Sequence, residues 1–181
     1  FGRRPQPNVE LLIEDKSFSV IDNTDEDILY PQSIDNPPEK SVKISFSIKG
    51  KNESNVIARE LYLSCDVSST GSEYNKVRFL NYNQMDSIPN LDGNLNIITR
   101  PELRLPPLGS LKFTNVDIIL SPLVDEDLRI DGVIGAEGAT PKNFRIYISK
   151  NKLRSFIAKA FHENENKQAL LSEFFNEYMV V

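Results

Sequence analysis

Ser41-Val42-Lys43-Ile44-Ser45-Phe46-Ser47-Ile48-Lys49 alternates without a break, with Val42, Ile44, Phe46 and Ile48 on one side and lysines and serines on the other. Successive side chains of an extended chain point to opposite faces, so a period of two marks a strand with one face buried and one wet. This is the pattern of a half-buried antiparallel strand.

Similar runs lie on both sides of it. After the loop from Gly50 to Asn55, the run from Glu60 to Val67 places Leu61, Leu63, Cys65 and Val67 on one face. Lys76-Val77-Arg78-Phe79-Leu80 is a shorter strand. The Asp92-Gly93 turn signal precedes an extended segment with Leu95, Ile97 and Ile98. Leu111 to Leu120 is the strongest strand, and Phe144-Arg145-Ile146-Tyr147-Ile148 is the last. Upstream, Val9–Ile13 and Ser17–Ile21 are β-rich but interrupted by Glu14-Asp15-Lys16, as in an edge strand or a first hairpin. Asp22 to Lys40, with Pro31, Pro37 and Pro38, breaks both helix and sheet and reads as a long surface connection.

About seven or eight short strands with regular turn signals point to a sandwich or barrel. The expected fold is therefore mainly β, an immunoglobulin-like antiparallel β-sandwich with a C-terminal amphipathic helical segment. Residues 1–8 form a linker, 9–150 the sandwich and 151–181 the helical segment.

The period changes near Ser149. Leu153, Phe156, Ile157, Ala160 and Phe161 recur at helical spacing, and Leu170, Leu171, Phe174, Phe175 and Tyr178 do so again. Two helices, or one broken helix, are expected. The second stripe has an acidic polar side, with Glu163, Glu165, Glu173 and Glu177, which disfavours adsorption of these helices to an anionic membrane. Two roles remain open for Leu170, Leu171, Phe174, Phe175 and Tyr178. The stripe either packs on an open face or edge of its own sheet, or forms a partner surface for another protein or a second copy.

From Lys43 to Lys49, through the loop Gly50 to Ile57, and into Ala58-Arg59-Glu60-Leu61-Tyr62-Leu63, the chain resembles bacterial immunoglobulin-like modules of the CARDB type. Leu105-Pro106-Pro107-Leu108-Gly109-Ser110-Leu111 is similar to the proline and small-residue approach to a later strand in those modules. Ile48-Lys49-Gly50 stands where the family carries an Asn before its loop glycine. The resemblance spans residues 9–148 in order of elements, and it implies a structural or binding unit with no catalytic residues.

Composition excludes several classes. At 181 residues the chain fits one domain with an appendage, and 39% hydrophobic residues supply a buried core. A net charge of −5, with no long basic cluster, argues against a nucleic-acid surface. The single cysteine, Cys65, precludes an intrachain disulfide framework and multi-cysteine zinc sites. No apolar stretch approaches the length needed to span a bilayer. The sequence starts at Phe1, and Gly2-Arg3-Arg4-Pro5-Gln6-Pro7 has the character of a juxtamembrane edge, so an upstream anchor is one expectation and a Pro-rich linker the other.

No constellation points to chemistry. His162 is the only histidine and reads as a partly exposed helix residue. Cys65 has the strand phase of a buried thiol rather than a nucleophile. Asp125-Glu126-Asp127-Leu128-Arg129-Ile130-Asp131-Gly132 fails the register of a calcium loop and reads as a solvated acidic loop, as do Asp22, Asp25, Glu26 and Asp27. Gly135-Ala136-Glu137-Gly138-Ala139-Thr140 is followed by Pro141 and a strand rather than a helix, so it reads as a connection, not a phosphate cradle. Asn52-Glu53-Ser54 matches a glycosylation acceptor, a triplet common by chance.

No catalytic, cofactor-binding or metal-binding residue is expected, and no enzyme. The leading expectation is a non-enzymatic interaction or scaffold domain, bacterial and cytoplasmic, tethered to the inner membrane face through an upstream segment. It would bind through loops at one end of the sandwich or through the terminal helices. The alternative is a β-barrel receptor for a small metabolite or nucleotide, favoured by pairing of the first and last strands around a polar pocket. Carboxylate-only glycoside hydrolysis comes third, with no pair singled out.

Overall fold

A computed structural model describes residues 4–22, 40–68, 75–80, 85–89, 94–162, 166–175 and 178–180. The elements run β1 (Val9–Asp22), β2 (Lys40–Asn52), β3 (Tyr62–Val67), β4 (Asn75–Leu80), β5 (Met85–Pro89) and β6 (Leu95–Thr99). Then come β7 (Ser110–Leu120), β8 (Leu128–Gly135), β9 (Lys142–Ile148), α1 (Lys150–Ala160), α2 (Lys167–Phe175) and β10 (Tyr178–Val180).

Every strand pair is antiparallel, and the strands form two sheets, β1-β2-β7-β4 and β10-β9-β8-β3-β6-β5. The chain is a β-sandwich. Its centre, β1-β2-β7-β4 against β9-β8-β3, has the A-B-E-D and G-F-C order of an immunoglobulin-type sandwich. The departure lies between β4 and β7, where the chain adds β6 and β5 beside β3 in the other sheet.

The alternating residues of β2 fill the core as their period requires: Val42, Ile44, Phe46 and Ile48 are buried. Leu63, Cys65 and Val67 of β3 meet Ile134, Gly132 and Ile130 of β8 in register on the inner face of the other sheet. Gly132 is needed there, because a Cβ would stand 2.1 Å from the Phe144 ring that lies across it.

β1 is one edge strand rather than a hairpin. A register shift between Glu14 and Ser17 inserts a residue opposite β2, with Asp15 in the left-handed region at φ 56°. The bulge reverses the strand's parity. Val9 and Ile13 face inward before it and Phe18 faces inward after it, so the polar interruption keeps both apolar runs on the core side. Lys49 holds the bulge through Glu14 and Asp15, at 2.9 and 3.2 Å.

The acidic-loop reading of 125–132 is corrected from Leu128 onward. Leu128, Ile130, Gly132 and Ile134 point inward from β8, a central strand, and Asp131 sits on its outer face between Arg129 and Arg145. Asp127 accepts from the Tyr147 hydroxyl and the Lys150 amide, both at 2.7 Å, and so ties β9 to the start of α1. The surface connection expected at 22–40 lies outside the described residues from 23 to 39.

Both helices have capping residues. Ser149 accepts from the Lys152 amide at α1, and Asn166 accepts from the Gln168 amide at α2. Their aromatic residues continue the sandwich core: Phe156 stacks edge-on to Phe18 of β1, and Phe175 to Phe46 of β2, each with centroids 5.3 Å apart.

Candidate functional site

The expected partner surface is occupied from within. Leu170, Leu171, Phe174 and Phe175 are 4%, 8%, 1% and 4% exposed, and all four belong to the domain's own core. Of the two roles read from the sequence, the geometry realises packing against the chain's own sheet. Tyr178 falls in β10, and its side chain lies outside the described part.

The other chemistry-bearing residues are accounted for locally. Cys65 is buried between β6 and β8, and burial pushes its thiol up to about 12. His162 is exposed just past α1. Gly135–Thr140 connects β8 to β9. Asn52 is fully buried with both amide donors engaged, which leaves no room for a glycan. Among the described residues, no group of three or more His, Cys, Asp or Glu side chains is placed to hold a metal ion. No described helix is long and apolar enough to cross a membrane.

A shallow groove crosses the outer face of the larger sheet, lined by Ser64, Asp66, Asp131, Val133, Asn143 and Arg145. Two of its charged groups, Asp131 and Arg145, are paired with each other. Asp131 accepts from Arg145 and Arg129, each at 2.7 Å, and the Arg145 hydrogen bond above all holds its carboxyl below the usual range.

The feature that internal packing does not explain lies at one end of the sandwich, where loops 53–61, 100–109 and 136–141 meet the start of β1. Asn52 organises it. The Asn52 amide nitrogen donates to the carbonyls of Val56 (2.7 Å) and Leu105 (3.0 Å). Its side-chain oxygen accepts from the amide and hydroxyl of Ser54. Its backbone N–H donates to Gly109, and its carbonyl accepts from Leu108. One buried residue thus fixes two loops with all its polar groups satisfied.

Ala58 and Leu105 then exchange both backbone hydrogen bonds, at 2.9 and 2.8 Å, and turn their own side chains inward. Alternation sends their neighbours outward, and Ile57, Arg59, Arg104 and Pro106 are exposed. The Glu53 backbone N–H donates to the Asn8 carbonyl, and the Glu137 N–H to that of Arg59, which brings the start of β1 and the 136–141 loop to the same end.

The next four residues, Pro106-Pro107-Leu108-Gly109, close a turn through the Gly109 N–H and the Pro106 carbonyl at 2.9 Å. Pro107 takes the second position, and Leu108 the third with φ 62°. This is the pattern of a type II turn, whose third position favours glycine or asparagine. A branched side chain there costs about 1–2 kcal/mol. Leu108 is nevertheless 70% exposed, and nearby Ile57 is 52% exposed. Glu60, also at this end, has φ 48°.

No protein-family model matches the chain, and no curated protein matches it. Sequence reasoning named the Leu105–Leu111 segment only as an approach to a strand. The missing signal was the proline–leucine order in a turn position that prefers glycine.

Proposed function

We propose that this chain is a non-enzymatic interaction domain that docks through the loop end of its sandwich, presented by whatever precedes Arg4. The observation that carries the reading is Leu108, which combines backbone strain with an exposed side chain. Strain persists where the surrounding structure enforces it, and it clusters at binding positions. Here Asn52 and the Ala58–Leu105 pair do the enforcing, and the result is a rigid apolar tip that loses little conformational freedom on binding.

The architecture gives the barrel alternative less support. β1 lies in one sheet and β10 in the other, so the first and last strands do not pair. The likeness to CARDB-type modules fits the docking reading, since those are structural or binding units. A cytoplasmic position at the inner membrane face belongs to the same proposal.

A photoreactive residue at position 57, compared with one at Leu123, tests the reading in cells producing the full chain. Leu123 is 50% exposed but follows the far end of β7. Discrete adducts from position 57, lost when Leu108→Gly is added, are expected. The same adduct pattern from both positions would refute docking through this end.

A further inference from the structure

We propose that the occupant of this end is an anionic lipid surface, with Leu108 and Ile57 entering the headgroup layer and a rim of arginines holding the lipid charge. The inference rests on the docking reading above and adds what is docked. The tip is convex: Pro107 and Leu108 stand at the apex of a turn, with exposed Pro106 and Ile57 beside them. A convex, rigid apolar tip suits insertion between headgroups.

The rim carries charge of the matching sign. Arg59 and Arg104 flank the Ala58–Leu105 pair on its outward side, one on each strand, where like charges repel unless an anion lies between them. The Arg104 guanidinium bonds the Pro101 carbonyl, which holds it in place over the 100–103 turn. Arg100 is exposed on that turn, and Arg4 is exposed just ahead of β1. Neither Arg59 nor Arg100 makes an ion pair with a described residue.

The direction of the chain agrees. Asn8 is bonded to Glu53, so Arg4-Pro5-Gln6-Pro7 lead into β1 at the docking end, and the prolines stiffen that approach. Glu53 is tied to Lys51, but Glu60, Glu102 and Glu137 share this end and offset three of the four arginine charges. Leu108 and Ile57 bury less apolar surface than a single acyl chain does, so adsorption is weak and reversible, and stable attachment needs a second contact.

Sedimentation of the full chain with vesicles of phosphatidylcholine, alone or mixed with phosphatidylserine, is the test. Selective pelleting with phosphatidylserine is expected, reduced about tenfold by Leu108→Gly and by more than about thirtyfold by Arg59→Glu with Arg104→Glu. Leu123→Gly leaves it unchanged. The chain has no tryptophan, so Ile57→Trp gives a background-free reporter in an ordinary backbone position, and a blue shift only with phosphatidylserine is expected. Thermal melts confirm that each variant folds.

Absence of pelleting and of any blue shift at millimolar lipid overturns the inference, as does equal binding to both vesicle types. If vesicles fail while position 57 still gives Leu108-dependent protein adducts in cells, the docking reading stands and its occupant is a protein pocket. If the adducts fail as well, both are lost.

Discussion

Leu108 and Asn52 lie side by side at the loop end and predict opposite results on substitution. Leu108→Gly removes a 70% exposed side chain from a position with φ 62°, so relief of about 1–2 kcal/mol of backbone strain meets the greater freedom of glycine in the unfolded chain. The expected stability is within about 1 kcal/mol of the parent, read by urea denaturation; a loss of several kcal/mol would show that Leu108 packs. Asn52→Ala removes both amide donors from carbonyls that have folded around them, with the expected loss about 3 kcal/mol and a lower melting temperature. Cys65 offers a reporter for such measurements. Its thiol is buried and raised to about 12 from an ordinary value of 9.0, so a thiol-reactive dye should react only on global unfolding. Because the raised group favours its neutral form in the fold, its contribution is present below pH 9.0 and is lost as pH climbs toward about 12.

At the level of elements, the sequence was most legible where one face is wet, and least where charge or a bulge broke the pattern. β2 and β9 announce themselves because lysine, serine or arginine alternates with bulk. β8 does not, since Asp125, Glu126 and Asp127 precede it and Asp131 and Gly132 sit within it; the arginines that pair with Asp131 on the outer face, Arg129 and Arg145, come together only in the fold. β1 looked interrupted because its bulge changes parity while keeping Ile13 and Phe18 on one face. The start of α1 carries a pH-dependent tie that the sequence hid. The Lys150 amide, then the Tyr147 hydroxyl, hold the Asp127 carboxyl below its ordinary range. A depressed carboxylate contributes above its unfolded pKa and is lost as pH falls through its folded value. The Lys150 amide resonance should therefore titrate with a midpoint below that of an ordinary aspartate, and the transition should vanish in Asp127→Asn. An ordinary midpoint would mean that the tie is absent in solution.

For the whole molecule, the decisive relation is between the sandwich and its helices, because the periodicity that identifies an amphipathic stripe says nothing about what covers it. Here the stripe and the sheets present matching aromatic rings: Phe156 lies between Phe18 of β1 and Phe174 of α2, and Phe175 reaches Phe46. The helices thus complete one core rather than form a second body, and Lys159 to Glu173 at 3.3 Å links their outer sides. Removing the chain from Asn151 onward should then strip the cover from Phe18 and Phe46, so the shortened protein aggregates or loses its cooperative melt. A point substitution separates folding from association more cleanly. Phe174 is 1% exposed, and Phe174→Ala is expected to cost about 3–5 kcal/mol without changing the solution mass of whatever fraction stays folded. Light scattering beside a thermal melt reads both quantities at once. A stable dimer that turns into an equally stable monomer on this substitution would instead make the stripe an association surface and move the docking site away from Leu108.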